Sequence, residues 1–453
     1  MKRRSFINQS AIGITGAAIA SSSVVSFLAS CDRTGKEIRM ALIGCSIEGI
    51  SLVTNAFRNI QNVSIKYVFD FDMEKAGQAS QMVQNLLGYL PGQVPDMEII
   101  FNDTEINGVF IFLPEHWRAM ATIRACKAGK DVYVESLPIH SILEGRQMLA
   151  AAKKYKRIIQ AGFNNRSALY AISAREYTKS GRLGQVMHVK AYSFNSDNKW
   201  MLIPDSEIPS GLDWNEWIGP APEHPYNSGI YSREQTNGWN NYWAYSSGIL
   251  GANATHAIDL ARMILNDPDH PKSVYCFGGN WVWKSQREVP EFQSVTYGFD
   301  KFTMTCECGY AGGYMKQPVK YSTDEHKFPE WMKISERVEV YGTAGLMYIG
   351  CNGEGWQVIS AEGKVEAEEY GLKSDILHQK NFIECIRNRE KPNSSMEQAY
   401  MSSTLVHLGN ISHRVGNKLL LFDKVTEKLT NSADANILLK TSYREGYTIP
   451  DKK

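Results

Sequence analysis

The chain has 453 residues, 43% hydrophobic and 21% charged, values of a globular protein with material for two domains of ordinary size. Its 49 basic and 48 acidic residues leave a net charge of +1, and a nearly neutral body argues against a nucleic-acid partner. The cysteines apart from Cys31 number seven, an odd and scattered set that does not read as a disulfide framework. Cys306 and Cys308 share one face of a predicted strand, but no second CxC or His pair completes a metal site, so no metal is expected.

Residues 1–30 read as an export signal rather than as part of the fold. Arg3-Arg4-Ser5-Phe6-Ile7 has the twin-arginine form, and Ile12 to Val25 is an apolar run too short to span a membrane comfortably. Leu28-Ala29-Ser30-Cys31 is similar to a bacterial lipobox, which makes Cys31 either the lipidated first residue of the mature protein or an ordinary exposed cysteine. The expected location is the periplasm or cell envelope, with membrane attachment only through that lipid. Without Lys2, Arg3 and Arg4 the body holds 46 basic and 48 acidic residues. The twin-arginine route carries folded proteins, so a cofactor can cross already loaded. No external pool would replace it, and it must be held tightly and regenerated in place.

Ile38 to Ile43 is an apolar strand ending in a Gly-rich turn, a helical stretch follows, and Ser64 to Phe69 is a second strand ending in Asp70. That is the order of a dinucleotide-binding unit. Gly44 suits the turn, Gly49 lets helix pack on strand, and a pyrophosphate belongs at the helix N-terminus beside Ser46 and Ile47. Asp70 is placed to accept a ribose diol and to repel a 2′-phosphate, so NAD is the expected cofactor. Ser46 departs from the pattern by standing where a middle glycine belongs.

Downstream, the periodicity predicts a helix over Met73–Leu87, a buried strand over Gly108–Leu113, a helix from Pro114 to Ala128, a strand over Asp131–Glu135, a helix over Ser141–Tyr155 and a strand over Arg157–Ala161. This alternation means an α/β fold with a doubly wound parallel Rossmann sheet over 36–162. Ligand groups collect at the strand C-terminal ends, which carry Gly44, Asp70, Leu113-Pro114 with His116, Glu135 with Ser136, and Gly162 with Asn164. From 163 to 453 the pattern becomes α+β with a mainly antiparallel open sheet: a Trp- and Pro-rich stretch over Trp200–Gly248, a helix over Ala254–Ile264, β runs between Lys272 and Ile349, and closing helices over Asp375–Arg387 and Met396–Val415.

Gly129-Lys-Asp-Val-Tyr-Val-Glu135, Pro114-x-His116-Trp117, Leu212-Asp-Trp-x-x-Trp-Ile-Gly-Pro-Ala-Pro222, Gly248-x-Leu-Gly-x-x-x-Thr255-His256-x-x-Asp259 and His407-Leu-Gly-Asn-Ile411 together resemble the Gfo/Idh/MocA oxidoreductases, in their exported branch. The resemblance covers essentially the whole mature chain. It implies hydride exchange between NAD and a carbinol carbon of a sugar or glycoside, C3 in some relatives, and a second-domain sheet that joins subunits into homo-oligomers. The family's Glu-Lys-Pro is Glu135-Ser136-Leu137 here, its Asp before the active-site His is Ala252, and a second His is Arg118. The resemblance makes His256 the expected base, with His140 and Tyr192 as substitutes. His256 as a scaffold residue is the competing reading. His116 is expected to shape the cofactor pocket. Arg166 either approaches substrate or makes a salt bridge, Asp259 is a substrate contact, and Trp243, with neighbouring aromatics, either stacks on a sugar or packs the loop. The alternative for the whole chain is a catalytically lapsed member that binds a glycoside or pairs with an active homologue.

Overall fold

The computed structural model describes residues 37–195, 203–231, 238–283, 287–310 and 328–449; the signal region and Cys31 lie outside them. β1 (Ile38–Ile43), β2 (Val63–Phe69), β3 (Gly92–Gln93), β4 (Gly108–Ile111), β5 (Asp131–Val134) and β6 (Ile159–Ala161) form one parallel sheet in the order 3-2-1-4-5-6. All four residues of β4 and of β5 are buried because helices cover both faces, and the charged one, Asp131 at the start of β5, is paired with Arg389. The order reverses between β1 and β4, which opens a crevice at their carboxyl ends.

α1 (Ile47–Phe57) and α2 (Met73–Leu87) lie on one face. Asp72 caps α2 by accepting the Glu74 N–H at 2.9 Å, and Gly88 ends it with φ +84°, a conformation that suits glycine. α3 (Met97–Asn102), α4 (Glu115–Lys127) and α5 (Ile142–Tyr155) cover the other face.

At the start of α5, Ser141 accepts the Glu144 N–H and the Glu144 carboxylate accepts the His140 N–H at 2.6 Å, a capping box. Glu144 is 1% exposed, and burial pushes its carboxyl up to about 7, against the pull of the Tyr443 hydroxyl at 2.6 Å. The folded chain therefore holds this proton more tightly than the unfolded one. Its contribution is complete below about pH 4.5 and is lost as pH rises through about 7. By linkage this amounts to about 3 kcal/mol. Glu144→Gln, neutral throughout, is expected to flatten the fall of Tm across that window in thermal melts at stepped pH. An unchanged slope would exclude Glu144 as its source.

The second sheet has ten strands in the order 14-13-12-11-7-10-9-8-15-16. These are β7 (Val186–Phe194), β8 (Ser273–Gly279), β9 (Phe292–Gly298), β10 (Thr303–Gly309), β11 (Glu336–Gly342), β12 (Leu346–Gly350), β13 (Trp356–Ile359), β14 (Val365–Glu369), β15 (Leu420–Asp423) and β16 (Lys428–Leu429). Only the β7–β10 pair is parallel among the described pairings; the rest are antiparallel. The central strand, β7, has no counterpart among the predicted elements. Its inward positions include Ala191 and Ser193, too small to signal a core strand. α6 (Leu169–Lys179), the short α7 (Trp214–Ile218), α8 (Ser228–Tyr231) and α9 (Gly248–Ala252), and then α10 (Ala254–Ile264) precede most of this sheet. α10 packs on β7.

Sequence position 162 separates the two sheets but not the two cores. α11 (Asp375–Asn388) returns to the first sheet, where Phe382, Ile383 and Ile386 join the cluster of Met40, Leu42 and Phe110. The Phe382 ring meets Phe110 edge-on at 5.6 Å. α12 (Met396–Arg414) packs against α5.

Candidate active site

The carboxyl ends of β1, β2, β4 and β5, with the first turn of α10, enclose one crest. β1 passes into Gly44 at φ +88°, where a Cβ would lie 2.7 Å from the Leu113 nitrogen. Only glycine turns there. A Cβ on Gly49 would meet the Phe112 ring at 2.6 Å, so this residue sets the helix against the strand. Ser46 caps α1 by accepting the Gly49 N–H at 3.1 Å. The departure from a middle glycine thus supplies a helix cap. Ile47 is 57% exposed, and the dipole of an 11-residue helix ends at this opening.

Asp70 is half-buried. Its carboxylate accepts the Cys45 N–H at 2.7 Å and the Asp72 N–H at 3.0 Å. Burial raises its pKa, while those N–H donors and Lys75 pull it down. Two of roughly four lone-pair positions are used, which leaves acceptors for a diol. A carboxylate at the end of β2 beside an open helix N-terminus fits an adenine dinucleotide.

At the end of β4, Pro114 begins α4 and the His116 ring is 3% exposed. Its Nε2–H donates to the Trp217 carbonyl at 3.0 Å, and burial lowers its pKa to about 3. His116 is a neutral wall residue. Arg118, a departure in the sequence, is a brace: its Nε donates to the Leu113 carbonyl at 2.8 Å and its Nη1 to the Ser136 and Leu137 carbonyls at 2.7 and 2.9 Å. It ties the ends of β4 and β5 together across a cis Ser136–Leu137 peptide.

Glu135, Ser136 and His256 form one polar chain. The Glu135 carboxylate accepts the Ser136 N–H at 2.9 Å and lies 3.3 Å from Ser136 Oγ. Ser136 Oγ is 3.0 Å from His256 Nε2. His256 is half-buried in the first turn of α10, edge-on to Phe163 at 5.9 Å. Gly162 makes room, since a Cβ there would sit 2.6 Å from Glu135 Oε1. Asn164 is engaged by Asp375, with its Nδ2 2.6 Å from the carboxylate at the start of α11. No group of His, Cys, Asp and Glu among the described residues is arranged to hold a metal.

Five expected site residues are placed otherwise. Arg166 and Asp259 do not present themselves to a substrate. They are 4% and 1% exposed, and Arg166 Nε and Nη2 grip Asp259 at 2.8–2.9 Å while Nη2 also reaches Asp267 at 2.8 Å. Ser402 Oγ donates to Asp259 at 2.6 Å. Tyr192 lies on the opposite face of β7 from Val189 and Ala191, which are buried against the helices, and packs under Arg337 at 4.1 Å. Burial pushes its hydroxyl up to about 12, which unfits it as a base. His140 bonds the Ser246 carbonyl at 3.3 Å, and burial lowers its pKa to about 4; it fastens a loop. Trp243 carries the Arg414 guanidinium at 5.1 Å from its ring centre and donates its N–H to Glu288.

Two family models match the second half of the chain: "GFO/IDH/MocA C-terminal domain" over residues 224–348 and "Oxidoreductase family, C-terminal alpha/beta domain" over residues 364–449. The levoglucosan dehydrogenase of Pseudarthrobacter phenanthrenivorans is 26% identical over 172 residues, 38% of this chain. That match spans 36% of the relative's length. Among solved structures, a levoglucosan dehydrogenase in complex with NADH and levoglucosan superposes with a TM-score of 0.61 at 18% identity, covering 85% of this chain and 99% of the other. The WlbA dehydrogenase of Chromobacterium violaceum, in complex with NADH and UDP-GlcNAcA, gives 0.62 at 16% identity over 86% and 97%. An aldose-aldose oxidoreductase of Caulobacter crescentus gives 0.61 at 16% identity over 85% and 100%.

Proposed function

We propose that the chain is a Gfo/Idh/MocA oxidoreductase, an NAD-dependent enzyme that moves a hydride between its cofactor and a carbinol carbon of a sugar or glycoside, with C3 one candidate position. The contact of Ser136 Oγ with His256 Nε2 at 3.0 Å, on the crest where a nicotinamide would end, carries this reading. Relatives named for sugar oxidation, with NADH in their structures, support it.

Bound NAD supplies a hydride acceptor. Asp70 would hold the adenosine ribose diol and the first turn of α1 the pyrophosphate. In the oxidation direction the carbinol O–H bond breaks and its proton passes to Ser136 Oγ as the serine proton moves to His256 Nε2. The C–H electron pair leaves with its hydrogen. Alternatively, His256 takes the carbinol proton directly. Either route needs a neutral imidazole whose Nε2 accepts, so Nδ1 carries the ring hydrogen. In reduction the same groups return the proton.

We place the mature protein outside the cytoplasm, anchored through Cys31, with a cofactor reduced and reoxidised in place. Its subunits associate through the sheet face that carries Tyr192 and Arg337. The test is to denature purified protein, assay the supernatant for NAD, and add a glycoside and its 3-keto form to native protein while following bound-NADH absorbance. Absorbance that rises with one and falls with the other is the expected result. Bound NAD that never changes oxidation state would assign a lapsed, glycoside-binding role instead.

A further inference from the structure

One segment of the second half crosses the dinucleotide crevice. It is bonded to the end of β2, where Asp213 N–H donates to the Phe71 carbonyl at 2.9 Å, Met73 N–H donates to the Gly211 carbonyl at 3.0 Å, and Asp72 and Leu212 form an isolated bridge. It is also bonded beyond β4, where the Trp217 carbonyl accepts His116 Nε2–H and Trp117 Nε1–H, both at 3.0 Å. β2 and β4 flank β1 on either side. The segment thus spans both neighbours of the strand whose turn would take the pyrophosphate.

The span is stiff. Trp214 and Trp217 stack at 4.7 Å, Tyr226 meets Trp214 edge-on at 5.1 Å, and Tyr231 sits 5.8 Å from Trp217. Phe71, two residues past β2, packs on Trp117 at 5.2 Å. From the span the Tyr231 hydroxyl donates to Asp72 Oδ2 at 2.6 Å, two residues past Asp70, while Lys75 Nζ lies over the Tyr231 ring at 4.0 Å. The other oxygen of Asp72 is engaged in capping α2. A phenol–carboxylate bond belongs to the strong class because the acceptor is charged. It adds side-chain closure to the backbone bonds at the β2 end.

We infer that residues 209–231 are a strap that holds the adenosine half of the cofactor in place, with Tyr231 and Asp72 as its latch, so that exchange of NAD requires the latch to open. This rests on the dinucleotide reading above and gives a physical means for retention. The strap acts on release and makes no contact with the reacting carbon.

The test loads the full chain with NADH, chases with excess NAD and follows the loss of bound-NADH fluorescence. Tyr231→Phe, which keeps the ring and removes the hydroxyl, is expected to speed release about tenfold, and Asp72→Asn, which keeps the helix cap, is expected to move it the same way. Amide exchange at Met73 and Asp213 is expected to slow on loading of the unaltered protein. Release and exchange unchanged in protein that does bind NADH would overturn the strap and leave the oxidoreductase reading standing. Failure of the unaltered protein to bind NADH would overturn both.

Discussion

Replacing His256 with alanine is expected to lower the rate of hydride transfer by about 10² to 10⁴-fold, the usual worth of a positioned base, while bound NAD stays at its normal amount. The two readouts separate because His256 stands on α10, whereas the groups assigned to the dinucleotide stand on the first sheet and α1. Ser136→Ala distinguishes the two proton routes within the same experiment. A large loss matching that of His256→Ala places the hydroxyl in the path, whereas a small one leaves His256 acting directly. Undiminished transfer in His256→Ala, read by stopped-flow absorbance of the bound cofactor, would remove His256 from the chemistry.

Removing the carboxylate of Asp259 is expected to be among the most destabilising single changes in the chain. Asp259→Ala leaves Arg166 and Ser402 turned toward a vacated buried position, and loss of one partner of a buried pair costs about 3–5 kcal/mol. Asp267 holds part of the Arg166 charge, which keeps the loss within that range. For a chain of this size, Tm is expected to fall by about 3–5 °C in a thermal melt. A substrate contact would behave in the opposite way, with Tm unmoved and KM raised, so one variant decides between the two roles.

The parts of the fold that the sequence reveals are those whose signals are local. α2 matches its predicted bounds at both ends, Met73 and Leu87, because Asp72 and Gly88 are adjacent cap residues. The spacing of Gly44, Gly49 and Asp70 is likewise local to one strand–helix–strand unit, and the structure brings these residues to one turn. β7 was illegible because Ala191 and Ser193, on its inward side, carry no hydrophobic signal, although its neighbours cover them. Tyr192 is turned away from the helices by strand parity, since one position along β7 reverses the face.

Arg166 and Asp259 illustrate a different limit. A charged residue beside a motif reads the same whether it faces a ligand or a partner, and their partnership joins positions 93 apart. Tyr231 and Asp72 are 159 apart, and no spacing rule connects them. Arg118 looked like the loss of a histidine, and its service as a brace became apparent only once the carbonyls of Leu113, Ser136 and Leu137 converged on it.

The return of α11 to the first sheet bears on the order in which the molecule can be completed. Phe110 and Tyr133 have Phe382 as an aromatic neighbour, and the Ala161 carbonyl has His378, so a ribosome that has made the first six strands has made a layer with one flank bare. That flank is closed by residues synthesised more than two hundred positions later. The first sheet is therefore completed only after most of the chain has been made, and its assembly waits on a helix from the far half of the sequence.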